Sequence, residues 1–321
     1  MAALAVMVWL TAVPVAAQAP VAADGATGWT AARTPWGDPD LQGTFTNNNE
    51  NGIPLERPDD FEARRLEDVT PEELARLRAE REVRRVEVAP RLGVLPGSNP
   101  IHWFEHFGAA NSRAWLVVDP TDGRIPPLTP DAQKRPRAPG GSSFGNGPFN
   151  SPSDFSLYDR CISRGIPGSM MPAIYGNAYE IVQSPGYVTI LYEMIHEARV
   201  IPLDGRPALS PSIRSYMGDA RGRWEGDTLV VETTNFKEGA AYRGANADRL
   251  RLVERFTPVS ADTLEWAVTI DDPTTWTAAW TFAMHLTRGG PEVQPFEYAC
   301  HEGNYGLENM LRAARAEEQG P

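Results

Sequence analysis

Trp276-Thr277-Ala278-Ala279-Trp280-Thr281-Phe282-Ala283-Met284-His285-Leu286-Thr287 alternates apolar residues with small or polar ones. Trp276, Ala278, Trp280, Phe282, Met284 and Leu286 fall on one face; Thr277, Ala279, Thr281, Ala283, His285 and Thr287 fall on the other. A repeat of two is the side-chain period of a β-strand. One greasy and one polar face mark an antiparallel sheet wetted on one side. Upstream, Leu264, Trp266, Val268 and Ile270 alternate in the same way with Glu265, Ala267 and Thr269. The period of two begins near residue 178.

Two turns resemble each other. Arg223-Trp224-Glu225-Gly226-Asp227-Thr228-Leu229 and Val259-Ser260-Ala261-Asp262-Thr263-Leu264 both end in Asp-Thr-Leu and launch the next strand. Short turns between alternating runs make hairpins. Successive hairpins without intervening helices form an antiparallel meander, and closing it into a barrel removes exposed strand edges. The expected fold class is therefore mostly β, an antiparallel meander closed into a barrel across residues 155–321. A terminal helix is expected from Gly306 to Gln319, with Leu307, Met310 and Leu311 facing inward.

The N-terminal half reads differently. Ala2 to Val15 is apolar and runs into Ala16-Ala17-Gln18-Ala19-Pro20, a small-x-small cleavage site, so residues 1–19 are expected to be a secretory signal. A positive n-region is absent, and a buried N-terminal helix is the alternative. The stretch is too short for a membrane span, and no other segment approaches one, so a periplasmic or secreted protein is expected. Residues 20–67, rich in Pro and Asn, read as an extended arm pinned by Trp36 and Phe45. Residues 68–154 read as a helix, a hairpin and a Pro/Gly-rich connection. Thr70 is the N-cap of that helix, with Pro71 at N1 and Glu73 at N3 of a capping box, and the helix runs to about Arg85. A second short helix starts at Asn99-Pro100. Trp115–Val118 and Arg124–Pro126 flank the turn Asp119–Gly123 as a hairpin.

Net charge is −12, with no basic cluster outside one helix, which argues against a nucleic-acid partner. Cys161 and Cys300 are the two cysteines. In an oxidising compartment such a pair is expected to be bridged, worth ~4–5 kcal/mol by loop-closure entropy. Two separate buried thiols, or a Cys300–His301 catalytic pair, are the alternatives.

Several stretches carry a family resemblance: Thr34-Pro35-Trp36-Gly37-Asp38-Pro39-Asp40-Leu41-Gln42-Gly43, Asp122-Gly123-Arg124-Ile125-Pro126, Glu193-Met194-Ile195-His196, Arg221 through Phe236, and Cys300-His301-Glu302-Gly303-Asn304-Tyr305. They resemble an uncharacterised family of exported bacterial proteins, and the resemblance implies no activity. The C-terminal half is also similar to lipocalin- and fatty-acid-binding-type barrels, whose strands often read Trp-x-Gly-Asp-x-Leu. That likeness implies a lipocalin-like closed barrel.

Candidate chemistry centres on Tyr187 to Ile201. Read as one uninterrupted strand, it places Val188, Ile190, Tyr192, Met194 and His196 on one face. Thr189, Leu191, Glu193, Ile195, Glu197 and Arg199 take the other. His196 then points into the apolar side as a candidate general base. A core histidine satisfied by Tyr or backbone is the bland alternative. Glu193 and His301 are accessory candidates, although Glu193 reaches His196 only through a bulge. Arg199, Tyr192, Trp224, Asn304 and Tyr305 are candidate substrate contacts. Arginines recur beside strand ends (Arg160, Arg164, Arg206, Arg214, Arg221, Arg223), either to clamp an anion or to make structural ion pairs. His102 and His106, four apart, are weak metal candidates without a third ligand at fixed spacing. No cofactor is implied, since phosphate loops, dinucleotide fingerprints and nucleophile elbows are absent. The sequence supports metal-independent acid–base chemistry (lyase, isomerase or hydrolase) on a small organic or sugar-derived substrate. The rivals are a non-catalytic barrel for a hydrophobic ligand and an envelope interaction protein. A lumen filled by its own side chains would favour the last.

Overall fold

The computed structural model describes residues 29–92, 111–135 and 149–318. The expected leader at 1–19, His102 and His106 lie outside them. The chain divides into Met1–Thr30 and Ala31–Pro321, and the second unit carries every element below. The strands are β1 Gly43–Thr46, β2 Val117–Asp119, β3 Ala178–Ser184, β4 Tyr187–Tyr192, β5 Ala198–Pro202, β6 Asp219–Glu225, β7 Thr228–Thr234, β8 Arg251–Ser260, β9 Thr263–Asp271 and β10 Trp280–Arg288. The helices are α1 Pro71–Leu92, α2 Pro130–Lys134 and α3 Tyr305–Glu318. The strands form one antiparallel sheet in the order β5-β4-β3-β1-β10-β9-β8-β7-β6, with β2 also paired to β10.

Both anticipated hairpins are present. Glu225 pairs with Thr228 around Gly226-Asp227, and Ser260 pairs with Thr263 around Ala261-Asp262. β9 alternates strictly, with Leu264, Trp266, Val268 and Ile270 buried and their neighbours half-exposed. From β8 come Leu252 and Phe256, from β10 Trp280, Phe282, Met284 and Leu286, and from β4 Val188, Ile190 and Tyr192. Phe256, Trp266, Trp280, Phe282 and Met284 are each 0% exposed, so no water-sized space borders them. Aromatic contacts knit them together: Trp266 meets Phe282 edge-on at 5.6 Å and stacks with Phe256 at 6.3 Å. At these positions the lumen is filled by its own side chains.

The sheet is nearly closed into a barrel, and the seam lies between its end strands β5 and β6. A Cβ on Gly222 would come within 2.5 Å of Leu203 Cδ2 and 2.8 Å of Ile201 Cγ2. The missing side chain is what lets β6 approach the end of β5. Side chains then cover the β6 edge. Asp219 Oδ2 accepts from the Leu209 amide at 2.8 Å, and Arg221 Nε donates to the Pro207 carbonyl at 3.2 Å. Asn235 Nδ2 donates to the carbonyls of Leu209, Ser210 and Ile213. Polar groups of the loop after β5 thus replace the last ladder.

Five expectations are corrected. The supposed arm supplies β1, which sits between β3 and β10 with Phe45 fully buried. Residues 276–279 leave the strand, because Asp272 accepts from the Thr274 amide at 2.9 Å and its hydroxyl at 2.6 Å and winds a turn ahead of β10. Residues 124–126 form no strand; β2 pairs instead with Thr281 and Phe282 of β10. α1 extends to Leu92, and Thr70 Oγ1 accepts from the Glu73 amide at 3.2 Å as an N-cap should. The Glu73 carboxylate turns to Arg64, with both contacts at 2.7 Å, and so does not close the capping box onto Thr70.

Candidate functional site

The stretch Tyr187–Ile201 is two strands, β4 and β5, joined by a tight turn. Tyr192 N donates to Glu197 O at 2.9 Å and His196 N to Glu193 O at 3.0 Å. Ile195 and His196 both adopt positive φ, 65° and 45°, which reverses the chain. His196 therefore does not point into the lumen; it is exposed. Its Nδ1 lies 2.8 Å from the backbone carbonyl of Tyr298. A carbonyl only accepts, so this contact makes Nδ1 the donor and, in a neutral ring, places the lone pair on Nε2.

The Tyr298 side chain joins a phenol cluster. Its hydroxyl is 3.1 Å from that of Tyr158 and 3.4 Å from that of Tyr175, and the Tyr175 and Tyr298 rings stack at 6.3 Å. Burial first, then the neighbouring hydroxyls, pushes the Tyr298 phenol far above its ordinary range. Burial likewise raises Tyr158. All three rings are half-buried. The Arg164 guanidinium lies 5.3 Å over the Tyr158 ring, and its Nη1 reaches Met194 Sδ at 3.0 Å.

The turn bearing His196 is clamped from below by Glu197. Its Oε2 accepts from Ser163 Oγ at 2.9 Å, the Arg164 amide at 3.3 Å and Ser169 Oγ at 3.5 Å. Burial raises the pKa of this carboxyl against those hydrogen bonds. Glu193 accepts from the Ala178 amide at 3.2 Å, which anchors the start of β3.

Cys161 and Cys300 are joined in a disulfide. Beside it, Asn304 Nδ2 donates to Asp159 O at 3.2 Å and approaches Cys161 Sγ at 3.4 Å. The bond removes Cys300 as a nucleophile. His301 and Tyr305 face solvent, and they lie beyond β10 at the approach to α3 rather than at a strand end.

The remaining candidates fall elsewhere. Arg199 is buried inside the barrel, bonded to Glu254; the break after Tyr192 resets the alternation and turns it inward. Tyr192 is also fully buried, and burial pushes its phenol well upward. Trp224 is on β6. Arg206, Arg214, Arg221 and Arg223 pair with Asp204, Asp248, Asp219 and Glu225, the structural alternative. Arg164 joins no ion pair among the described residues. Tyr158, Tyr175 and Tyr298 were not legible as site residues, since 140 positions separate the first from the last.

A second polar cluster lies on the outer face of β10, where its partner changes from β2 to β1. Glu50, 2% exposed, accepts from the Ser112 amide at 2.9 Å and from its hydroxyl, and burial raises its pKa. Arg113 Nη2 donates to Glu265 Oε2 at 2.9 Å. Burial, then Arg113, holds His285 down at about 4 against the opposing Glu265. Ser112 is committed to Glu50, so this cluster reads as a structural fill for the switch in strand pairing.

No protein-family model matches the chain, and no curated protein does. Among solved structures, a secretary abundant heat soluble (SAHS) protein from Ramazzottius varieornatus is similar at 12% identity. The match covers 42% of this chain and 87% of that chain with a TM-score of 0.25. At that score the likeness carries no functional argument.

Proposed function

We propose that the protein is an exported, non-catalytic barrel that binds a small organic ligand carrying an acceptor group at the Tyr158–Tyr175–Tyr298 cluster. One observation carries this reading. Arg164, bound to no described carboxylate, lies over Tyr158, whose hydroxyl meets that of Tyr298, which in turn reaches that of Tyr175. The guanidinium and the Tyr158 and Tyr298 hydroxyls offer donors, and the rings offer a stacking surface, which suits a cyclic or aromatic carboxylate. The packed interior argues against carriage inside the lumen and counts for the interaction-protein rival; in the binding reading it makes the barrel a rigid support for a surface site. The disulfide is consistent with export, and no helix among the described residues is long and apolar enough to cross a membrane.

The test is calorimetric titration with a panel of aromatic and cyclic carboxylates led by 4-hydroxybenzoate. Arg164→Gln and Tyr298→Phe are expected to weaken binding about tenfold each, the loss of one good polar contact. His196→Ala, which loses only the contact to the Tyr298 carbonyl, is expected to weaken it less than either. Equal affinity in R164Q, or no binding across the panel, overturns the proposal.

Acid–base catalysis by His196 stands second. The Tyr298 carbonyl on Nδ1, which in a neutral ring places the lone pair on Nε2, is the observation in its favour. Turnover abolished by H196A would promote it.

A further inference from the structure

Beyond β10 the chain crosses the candidate site without entering the core. Among the described residues the most C-terminal buried one is Leu286, and α3 buries none of its side chains. Residues 291–318 are held by the disulfide, by the half-buried side of α3 at Leu307, Met310 and Leu311, and by a set of polar contacts. Tyr298 binds His196 through its carbonyl, and Tyr158 and Tyr175 through its hydroxyl. Asn304 binds the Asp159 carbonyl. Arg315 Nη2 donates to Asn150 Oδ1 at 2.9 Å and to Phe149 O at 3.4 Å. Every one of these partners lies between residues 149 and 196.

We propose that residues 291–318 are a detachable strap, and that a dithiol opens its Cys161–Cys300 fastening and thereby dismantles the ligand site. Deepening the binding proposal, this makes that site redox-controlled and rests on it for the ligand. The two sulfurs are unequal: Cys161 is 6% exposed, whereas Cys300 is half-exposed. One thiolate of the dithiol attacks Cys300 Sγ, the protein S–S bond breaks, and its electron pair leaves on Cys161 Sγ, where Asn304 Nδ2 already points. The second thiolate then attacks the dithiol's own sulfur in the mixed disulfide and expels Cys300 as a thiolate. Both protein thiolates take up protons, the protein gains two electrons, and the dithiol ends as a disulfide. Tyr298 then loses the covalent anchor two residues away, and one third of the phenol cluster departs with the strap. Because no core residue lies on the strap, the barrel stays folded.

The experiment is hydrogen–deuterium exchange of the full chain before and after native incubation with dithiothreitol, with thiols counted by alkylation mass. The expected result is two alkylated thiols and protection lost in peptides from 291–318, with β7 to β10 still protected as a folded barrel. A bond that resists dithiothreitol until the barrel unfolds, unchanged exchange in 291–318, or protection lost from the sheet to the same extent as from 291–318 overturns the strap. Cys161→Ser/Cys300→Ser gives the same readout without reductant. Titration of the reduced protein with 4-hydroxybenzoate separates the two proposals. Strap release with binding lost supports both. Strap release with binding retained removes the phenol site and leaves the strap standing.

Discussion

Arg199 on β5 and Glu254 on β8 meet inside the barrel, although six ladder steps separate their strands in the sheet. Arg199 Nη2 donates to Glu254 Oε1 at 3.1 Å, and Nη1 donates to Oε2. Trp266 Nε1 adds a contact to Oε1 at 3.2 Å. Side chains from strands that far apart touch only if the sheet curls round on itself, so the pair is a brace across the lumen.

Breaking the brace should cost more than removing it. Glu254→Gln strands a buried guanidinium and is expected to lower unfolding free energy by about 3–5 kcal/mol. Arg199→Met combined with Glu254→Leu replaces both charges by apolar groups and is expected to recover much of that loss. Urea unfolding of the single and double variants measures it. A double variant as unstable as E254Q would show that the pair contributes more than mutual neutralisation.

Gly222 is the close point of the seam. Gly222→Ala puts a methyl against Ile201 and Leu203 and is expected to cost about 1–3 kcal/mol, as overpacking does. Thermal unfolding tests this. An unchanged midpoint would mean that β6 and β5 separate freely.

His285 makes stability depend on pH. Its folded pKa of about 4 lies below the ordinary 6.5, so the folded state keeps it neutral while the unfolded chain takes up a proton. Its contribution is complete above 6.5, falls as pH drops towards about 4, and changes no further below that. The total is on the order of 3 kcal/mol. Glu50 and Glu197 act oppositely, since burial raises their folded pKa and acid relieves that cost. Comparison with His285→Gln isolates the imidazole. The stability difference between the two proteins should narrow by about that amount between roughly pH 7 and 4, and a constant difference would rule it out.

The disulfide spans a sequence separation of 139. Loop-closure entropy assigns it up to about 5 kcal/mol, through restriction of the unfolded chain. Cys161→Ser/Cys300→Ser should lower the urea midpoint accordingly while circular dichroism keeps its β signature. An unmoved midpoint would place the bond's effect on the strap alone.

The alternation of β8 to β10 was legible because neighbouring strands share one wet face, and both Asp-Thr-Leu turns announced themselves by residue type. β1 was not legible: Gly43–Thr46 is short, and only its position between β3 and β10 makes it a strand. The β4–β5 turn was hidden for a related reason. Met194 and Ile195 are both buried, so apolar residues carry the apparent period through the reversal, and no Gly, Pro or Asn marks it. That one turn moved His196 out to solvent and Arg199 in to Glu254.

By itself, then, the sequence determined the β rhythm, the hairpins and the availability of two cysteines, because these follow from local periodicity and residue chemistry. Tertiary structure alone decided which strands neighbour one another, where the barrel seam falls and which groups form the candidate site. Tyr158, Tyr175, His196 and Tyr298 meet only when the segment after β10 folds back across the barrel, and no local pattern of side chains encodes a contact between residues so far apart along the chain.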